Sequence, residues 1–200
     1  MIAAVSQDLV HRHRITVEEY YRMAEVGLLA PDARVELIEG EIIDMAPQGV
    51  THASVIRRLA RLLLLAAGTR ASVSVQLPLR LDQFSEPEPD FTLLKWREDE
   101  YAATHPGPSD TLLVIEVSQS SLQYDRSRKL PLYARHGVPE VWIIDVGKSL
   151  LHTFDSPHVP DPNGSPAEYR RRSSTPQPGI MRLQALPDLA IDLTGLFKDL

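Results

Sequence analysis

The sequence predicts an α/β fold, because two strand-like segments flank a helical one. Residues 111–117 and 141–146 are nearly continuous apolar runs, which is typical of strands covered on both faces. The helical pattern over residues 124–136 lies between them, and a strand, helix and strand of this length form a right-handed βαβ unit. With 200 residues and 43% hydrophobic content, the chain fits one domain with a stable core.

The N-terminal part predicts a helix followed by a β-hairpin. Thr16 and Glu19 match the capping-box pattern at the start of a helix expected over residues 17–26. Two short strand-like segments flank Glu39-Gly40, which predicts a tight turn with Gly40 at positive φ. The strands of this hairpin are expected at residues 35–38 and 41–45.

The remaining elements follow from periodicity and from the positions of glycine and proline. Pro78 indicates an edge or bulge in its strand, and Pro131 either begins or kinks its helix. Residues 1–14 are expected to be a loose leader and residues 155–179 a flexible loop or hairpin insertion, all within a single domain spanning 1–200. The other predicted elements are a helix at 52–67 and strands at 72–81, 91–94 and 149–154.

The composition excludes several classes of protein. The chain has no cysteine, which excludes disulfide scaffolds, thiolate zinc sites and cysteine nucleophiles. Motifs of serine hydrolases, dinucleotide-binding folds, P-loop NTPases and HExxH zinc enzymes are absent. A net charge of −6 argues mildly against coating nucleic acid by bulk charge, but it permits a local basic patch. The longest apolar run is too short for a membrane span and the N-terminus does not match a signal peptide, so we expect a cytoplasmic protein without membrane contact.

Three carboxylates occupy positions that packing alone does not explain. Glu116 interrupts an apolar buried strand, where a charge costs several kcal/mol unless it is paired, protonated or bound to a cation. Asp90 begins the next candidate strand after two prolines, and Glu36 lies within the first hairpin strand. Oxygen ligands that converge from different strands suit Mg²⁺ or Mn²⁺.

Lys129 could complete such a site from the helix that follows the Glu116 strand. Its ammonium could reach over the C-terminal end of the sheet, where ligands of α/β units gather. Carboxylates, a divalent ion and a lysine together are suited to phosphodiester hydrolysis.

These segments resemble the Uma-two family of restriction-endonuclease-like proteins, which belong to the PD-(D/E)XK nuclease superfamily. The resemblance covers roughly residues 15–155 and is most specific over 133–145. It implies a mixed central sheet flanked by helices, with a divalent-metal nuclease site. The matching segments are VELIEGE at 35–41, EPD at 88–90, LVIEVS at 113–118, Asp125 to Lys129, and LYARHGVPEVWIID at 132–145.

The resemblance also assigns roles to individual residues. Asp90 and Glu116 match the two acidic positions of the superfamily motif, and Lys129 stands in for the lysine that the superfamily expects at Ser118. Glu36 matches a glutamate of the N-terminal core region. Taken with the residue pattern, this predicts Glu36, Asp90, Glu116 and Lys129 as catalytic residues. The predicted metal ligands are Asp90, Glu116, the Val117 carbonyl and Glu36, and the predicted supporting residues are His52, Ser118, Asp125 and Tyr133.

Each of these residues also has a purely structural interpretation. Glu116 could pair with a buried arginine (Arg80, Arg126 or Arg135), and Asp90 could cap a turn. Glu36 could face solvent, and Lys129 could pair with Asp125 on the helix surface. Two arginine clusters could contact phosphates or simply be solvated; they comprise Arg57, Arg58 and Arg61, and residues 170–172.

The sequence therefore predicts an Mg²⁺- or Mn²⁺-dependent endonuclease that acts on nucleic acid, with double-stranded DNA favoured. A homodimer would match the two-fold symmetry of duplex DNA. The alternative is a non-catalytic module of the same fold that binds DNA or protein. The acidic charge balance and the serine at position 118 favour that alternative.

Overall fold

The computed structural model describes residues 12–159 and 166–200, and it has the mixed α/β architecture that the sequence predicts. The strands are β1 Val35–Ile38, β2 Glu41–Asp44, β3 Ala71–Val75, β4 Phe91–Lys95, β5 Thr111–Ser118, β6 Glu140–Asp145, β7 Leu150–His158, β8 Glu168–Pro176, β9 Ile180–Arg182 and β10 Ala190–Asp192. The α-helices are α1 Val17–Glu25, α2 Val50–Ala67, α3 Leu122–Tyr124 and α4 Leu130–Arg135, with short 3₁₀ turns at Pro108–Asp110 and Val146–Lys148.

Residues 12–45 and 82–86 form one compact unit around the hairpin. The capping box of α1 is present, since the Thr16 hydroxyl accepts from the Glu19 amide and the Glu19 carboxylate accepts from the Thr16 amide. Strands β1 and β2 pair antiparallel across a turn in which both Glu39 and Gly40 have positive φ. A Cβ at Gly40 would lie 2.6 Å from the Arg14 Cβ, so only glycine fits this approach.

Residues 46–81 and 87–200 form the second unit, which is built on a six-stranded mixed sheet. The strand order is β3-β4-β5-β6-β7-β8, and only β5 and β6 are parallel among these neighbours. Helix α2 packs its apolar stripe on one face of this sheet. The central members of that core are Val55, Leu59, Leu63, Phe91, Leu113, Ile115, Val117, Trp142 and Ile144.

Strand β3 is shorter than the sequence predicts. It ends at Val75 rather than at Leu81, because Gln76 adopts a left-handed φ of 51° that breaks the extended ladder. Leu79 and Leu81 are nevertheless buried, whereas Leu77 between the turn and Leu79 is 54% exposed, so the alternating pattern predicted burial only in part.

The predicted helix at 124–136 is observed over residues 122–135 as three consecutive segments, which we call the site helix. A π-helical turn, Asp125–Lys129, separates α3 from α4. Pro131 lies in the first turn of α4, where the missing amide hydrogen is best tolerated. Because the site helix begins at Leu122, Pro131 lies within it rather than at its start, directly after the π-turn that separates α3 from α4.

The sequence leaves open whether residues 155–179 form a loop or a hairpin. In the structure, residues 155–158 and 168–176 belong to two strands that extend the sheet. Strands β7 and β8 pair antiparallel from Leu150↔Pro176 to His158↔Glu168, and residues 160–165 between them lie outside the described residues. Most of the predicted leader also lies outside them, but Arg12 pairs with Glu41. In the part of the chain that the structure describes, no helix is both long and apolar enough to cross a membrane. The single domain predicted for 1–200 stays a prediction.

Candidate active site

Asp90 lies immediately before β4 and is held by three neighbours. Its Oδ1 accepts a hydrogen bond from Gln76 Nε2 at 3.0 Å, and its Oδ2 accepts from the Val117 amide at 2.8 Å. His52 Nε2, from the first turn of α2, lies 3.5 Å from Oδ2. Burial raises the pKa of Asp90, but the hydrogen bonds from His52 and Val117 outweigh it and hold the pKa below its usual value. Asp90 is therefore an anion that is fixed in position.

Glu116 lies in the middle of β5, on the face opposite the α2 core. Its Oε1 accepts from Tyr133 Oη at 2.6 Å and from Lys129 Nζ at 3.1 Å. Glu116 and Lys129 are each only 4% exposed, so this is a buried ion pair. Both donors bind the same carboxylate oxygen, which fixes the rotation of the carboxylate and directs Oε2 away from them.

The antiparallel register brings the two carboxylates together. Strand β4 pairs with β5 through Phe91↔Ile115, and one further step along this register places Asp90 opposite Glu116. The Val117 amide that binds Asp90 points to the same side of β5 as the Val117 carbonyl, since both groups of an extended residue share one edge. Two carboxylates and one main-chain oxygen therefore meet where β4 begins beside β5.

Lys129 and Tyr133 reach Glu116 from adjacent turns of the site helix. Lys129 is the last residue of the π-helical turn, and Tyr133 follows one turn later in α4. A π-turn inserts an extra residue into the helical repeat and changes which side chains face the sheet. Residues four apart share one face of a helix, so Lys129 and Tyr133 reach the same carboxylate oxygen.

A second polar group lies beside the first on the same helix. Asp125 Oδ2 accepts from Ser118 Oγ at 2.7 Å and from Ser121 Oγ at 2.6 Å. Burial raises the pKa of Asp125, although the charge of Lys129 and the two serine hydroxyls oppose this shift. Ser118, where the superfamily expects lysine, is therefore bound to the site helix that supplies Lys129.

Glu36 lies in the hairpin unit, where it is 4% exposed and pairs with Ile43 across β1 and β2. The structural interpretation that it faces solvent is therefore wrong. Its predicted role as a ligand for a second ion or for water stays a prediction.

The donor chemistry at Asp90 and Glu116 fits a small divalent cation. Mg²⁺ commonly binds one or two carboxylates, keeps several waters and accepts phosphate oxygens from a substrate. The described ranges contain no cluster of three or more histidine, aspartate or glutamate side chains placed to hold an ion. The groups near one another that could hold a cation are the two carboxylates and the Val117 carbonyl, so water and substrate would have to complete its coordination.

The structure selects among the structural interpretations of the sequence. The partners that the structure shows for Glu116 include Lys129 and Tyr133, neither of which the structural interpretation named. Sequence reasoning missed Gln76 and Ser121, because neither residue type is typical of a metal or catalytic site. Gln76 reaches Asp90 because of the turn after β3, and Ser121 reaches Asp125 because it lies at the start of the site helix. The predicted supporting residues that lie within this network are His52, Ser118, Asp125 and Tyr133.

Comparisons with known proteins agree on the type of fold. The model of a family described as "Putative restriction endonuclease", Uma2, matches residues 17–194. A crystal structure described as a "putative nuclease" of the DUF820 group, from Anabaena variabilis, is similar to this chain with a TM-score of 0.67. The two share 18% identity, and the match covers 92% of this chain and 97% of the other. No curated protein matches the sequence significantly.

Proposed function

Because this chain belongs to the Uma2 family of restriction-endonuclease-type proteins, we propose that it hydrolyses phosphodiester bonds of nucleic acid with Mg²⁺ or Mn²⁺. The observation that carries the proposal is the buried Glu116 carboxylate, which Lys129 and Tyr133 hold by one oxygen beside Asp90. A carboxylate mid-strand is costly, and an arrangement that fixes its orientation beside a second carboxylate favours a role in chemistry.

Asp90, Glu116 and the Val117 carbonyl would hold the cation. When bound, a divalent ion neutralises phosphate charge and lowers the pKa of a coordinated water. The protein's part is to keep Asp90 ionised through His52 and the Val117 amide, and to keep the Glu116 carboxylate in one rotamer.

Lys129 supplies a positive charge that stays in the site. Its ammonium is anchored on Glu116, so it can donate a further hydrogen bond towards an attacking water or a phosphate oxygen. A fixed cation where negative charge develops stabilises the transition state without reorganisation. The attacking water forms the new bond to phosphorus, and the bond from phosphorus to the leaving oxygen breaks.

The test is cleavage of a supercoiled plasmid in Mg²⁺, in Mn²⁺ and in chelator. We expect cleavage only with metal, and we expect Glu116→Gln to lower its rate by about 10²-fold or more. Glu140→Gln is the matched control: Glu140 is also a buried glutamate, on the neighbouring β6, but it binds Trp142 and the Gln184 amide. Equal rates for Glu116→Gln and wild type would exclude this site.

The non-catalytic binding module is the other outcome of this experiment. Calorimetric titration with Mn²⁺ separates the two functions, because metal binding that Asp90→Asn abolishes belongs to the nuclease. DNA binding that needs no metal, without any cleavage, would instead identify a binding module.

The proposal also includes three more specific predictions: the substrate is duplex DNA, the protein is a homodimer, and its location is cytoplasmic. Duplex and single-stranded DNA and RNA of matched sequence, used as competing substrates, identify the nucleic acid. Light scattering at several protein concentrations, with and without substrate, measures the oligomeric state.

A further inference from the structure

Two exposed cations lie at the C-terminal ends of the parallel strands β5 and β6. Arg126 lies on the π-turn of the site helix, three residues before Lys129, and Lys148 lies in the connection from β6 to β7. Within residues 12–159 and 166–200, neither charged group makes an ion pair or side-chain hydrogen bond. Their charges are therefore not used by the fold.

A chain of contacts connects both residues to the same sheet end. Ser118 pairs with Asp145 between β5 and β6, and its hydroxyl binds Asp125, the residue before Arg126. Asp145 Oδ1 in turn accepts from the Lys148 amide at 3.0 Å. Ser118, the last residue of the Glu116 strand, is thus connected to the main chain of Arg126 through Asp125 and to that of Lys148 through Asp145.

The charges of Arg126 and Lys148 both act on His152, so the two cations lie near the same region of the sheet. It lies on β7 opposite Ile143, on the same sheet face as Glu116. Burial lowers the pKa of His152, and the positive charges of Arg126 and Lys148 lower it further, whereas Asp145 opposes the shift. Asp145 is buried and its Oδ1 is bound to the Lys148 amide, whereas the side chains of Arg126 and Lys148 are exposed.

We propose that Arg126 and Lys148 bind backbone phosphates of the nucleic acid next to the bond to be cleaved, on the β6 and β7 side of the site. The inference rests on the proposed function and identifies the surface by which the site holds its substrate. Phosphate oxygens are the groups that unpaired arginine and lysine side chains bind best, independently of base sequence. Lys129 is buried, so the outer contacts would fall to exposed cations at the same end of the sheet, of which Arg126 and Lys148 make no ion pair among the described residues.

The experiment measures binding separately from cleavage. A short fluorescent duplex is titrated with the full chain in chelator, and again in Ca²⁺, at several salt concentrations. Each phosphate contact contributes about 0.9 to the slope of log affinity against log salt. We expect Arg126→Ala/Lys148→Ala to reduce that slope by about 2 and to weaken binding roughly tenfold or more near 0.1 M salt.

Arg57→Ala/Arg61→Ala is the matched control. These two arginines are also exposed and without partners among the described residues, and they lie one turn apart on α2, which packs on the other face of the sheet. The control removes the same charge, so its affinity and slope should stay near those of wild type. Circular dichroism checks that both variants are folded.

The outcomes separate this inference from the proposed function. Equal losses in both double variants would mean that bulk charge binds DNA, and would overturn the inference, as would unchanged binding by Arg126→Ala/Lys148→Ala. Absence of binding by the wild type in both chelator and Ca²⁺ would overturn it too. If wild type binds through these residues but cleaves no substrate, the proposed function fails and the phosphate surface stands.

Discussion

The two faces of strand β5 differ in what they contribute. Ile115 and Val117 point into the apolar core under α2, whereas Glu116 and Ser118 face the site helix and bind Lys129, Tyr133 and Asp125. Successive side chains of a strand alternate between faces, so one eight-residue segment contributes both to the apolar core and to the buried polar network.

The comparison teaches why a buried charge is tolerated here. The apolar face fixes the position of the strand. The opposite face can therefore carry a buried carboxylate even though the contacts of that carboxylate add little stability. Replacing a buried ion pair by apolar side chains is often neutral or stabilising. The two faces should therefore respond differently to substitution, and three experiments measure this.

The largest effect on stability is expected on the apolar face. Ile115→Ala removes a fully buried side chain and should lower the free energy of unfolding by about 3 to 4 kcal/mol. Urea denaturation measures this change, and plasmid cleavage by the folded fraction should stay near that of wild type. A loss of cleavage that exceeds the loss of folded protein would show that the two faces are not separable.

An intermediate effect on stability is expected from Lys129→Met, which removes one member of the buried ion pair. The uncompensated Glu116 carboxylate should cost about 3 kcal/mol, and cleavage should be lost. Glu116→Gln/Lys129→Met removes both charges, so it should recover most of that stability while it stays inactive.

Urea denaturation of both single variants and of the double variant completes a thermodynamic cycle. Additive losses would mean that Glu116 and Lys129 do not interact in solution. Lys129→Arg keeps the charge but not the geometry, and should therefore preserve stability better than activity.

The smallest effect is expected in the pH dependence of stability and comes from His152, on the polar face of the sheet. The pKa of His152 in the folded protein is below its ordinary value of 6.5, so as pH falls through 6.5 the unfolded chain gains a proton that the folded protein does not. The stability contributed by neutral His152 is complete above pH 6.5 and is lost as pH falls towards the folded pKa.

His152→Gln should therefore lose less stability than wild type between pH 7.5 and pH 5.5. Urea denaturation at each pH measures the two slopes, and their difference isolates His152 from the other titrating groups. The glutamine side chain keeps a polar group opposite Ser174, whose hydroxyl lies 2.7 Å from His152 Nδ1. Parallel pH profiles of stability for His152→Gln and wild type would contradict the lowered pKa of His152.

The sequence predicts the strands and the site helix well, because their signals are local. The apolar run at 111–117 and the capping box at Thr16 each specify their own element. The end of β3 was misplaced because the left-handed turn at Gln76 is not visible in an alternating pattern that continues to Leu81. The π-turn was missed because hydrophobic periodicity does not distinguish it from an α-helical turn.

By itself, the sequence determined that a carboxylate stands within an apolar strand and that a lysine follows on the next helix. Residue order and alternation suffice for this, since they fix which face each side chain takes. Only the tertiary structure decided that Lys129 and Tyr133 share one oxygen of Glu116, and that Gln76 and Val117 hold Asp90. Those contacts join residues 13 to 27 positions apart, and their geometry depends on strand register and helix packing, which no local pattern encodes.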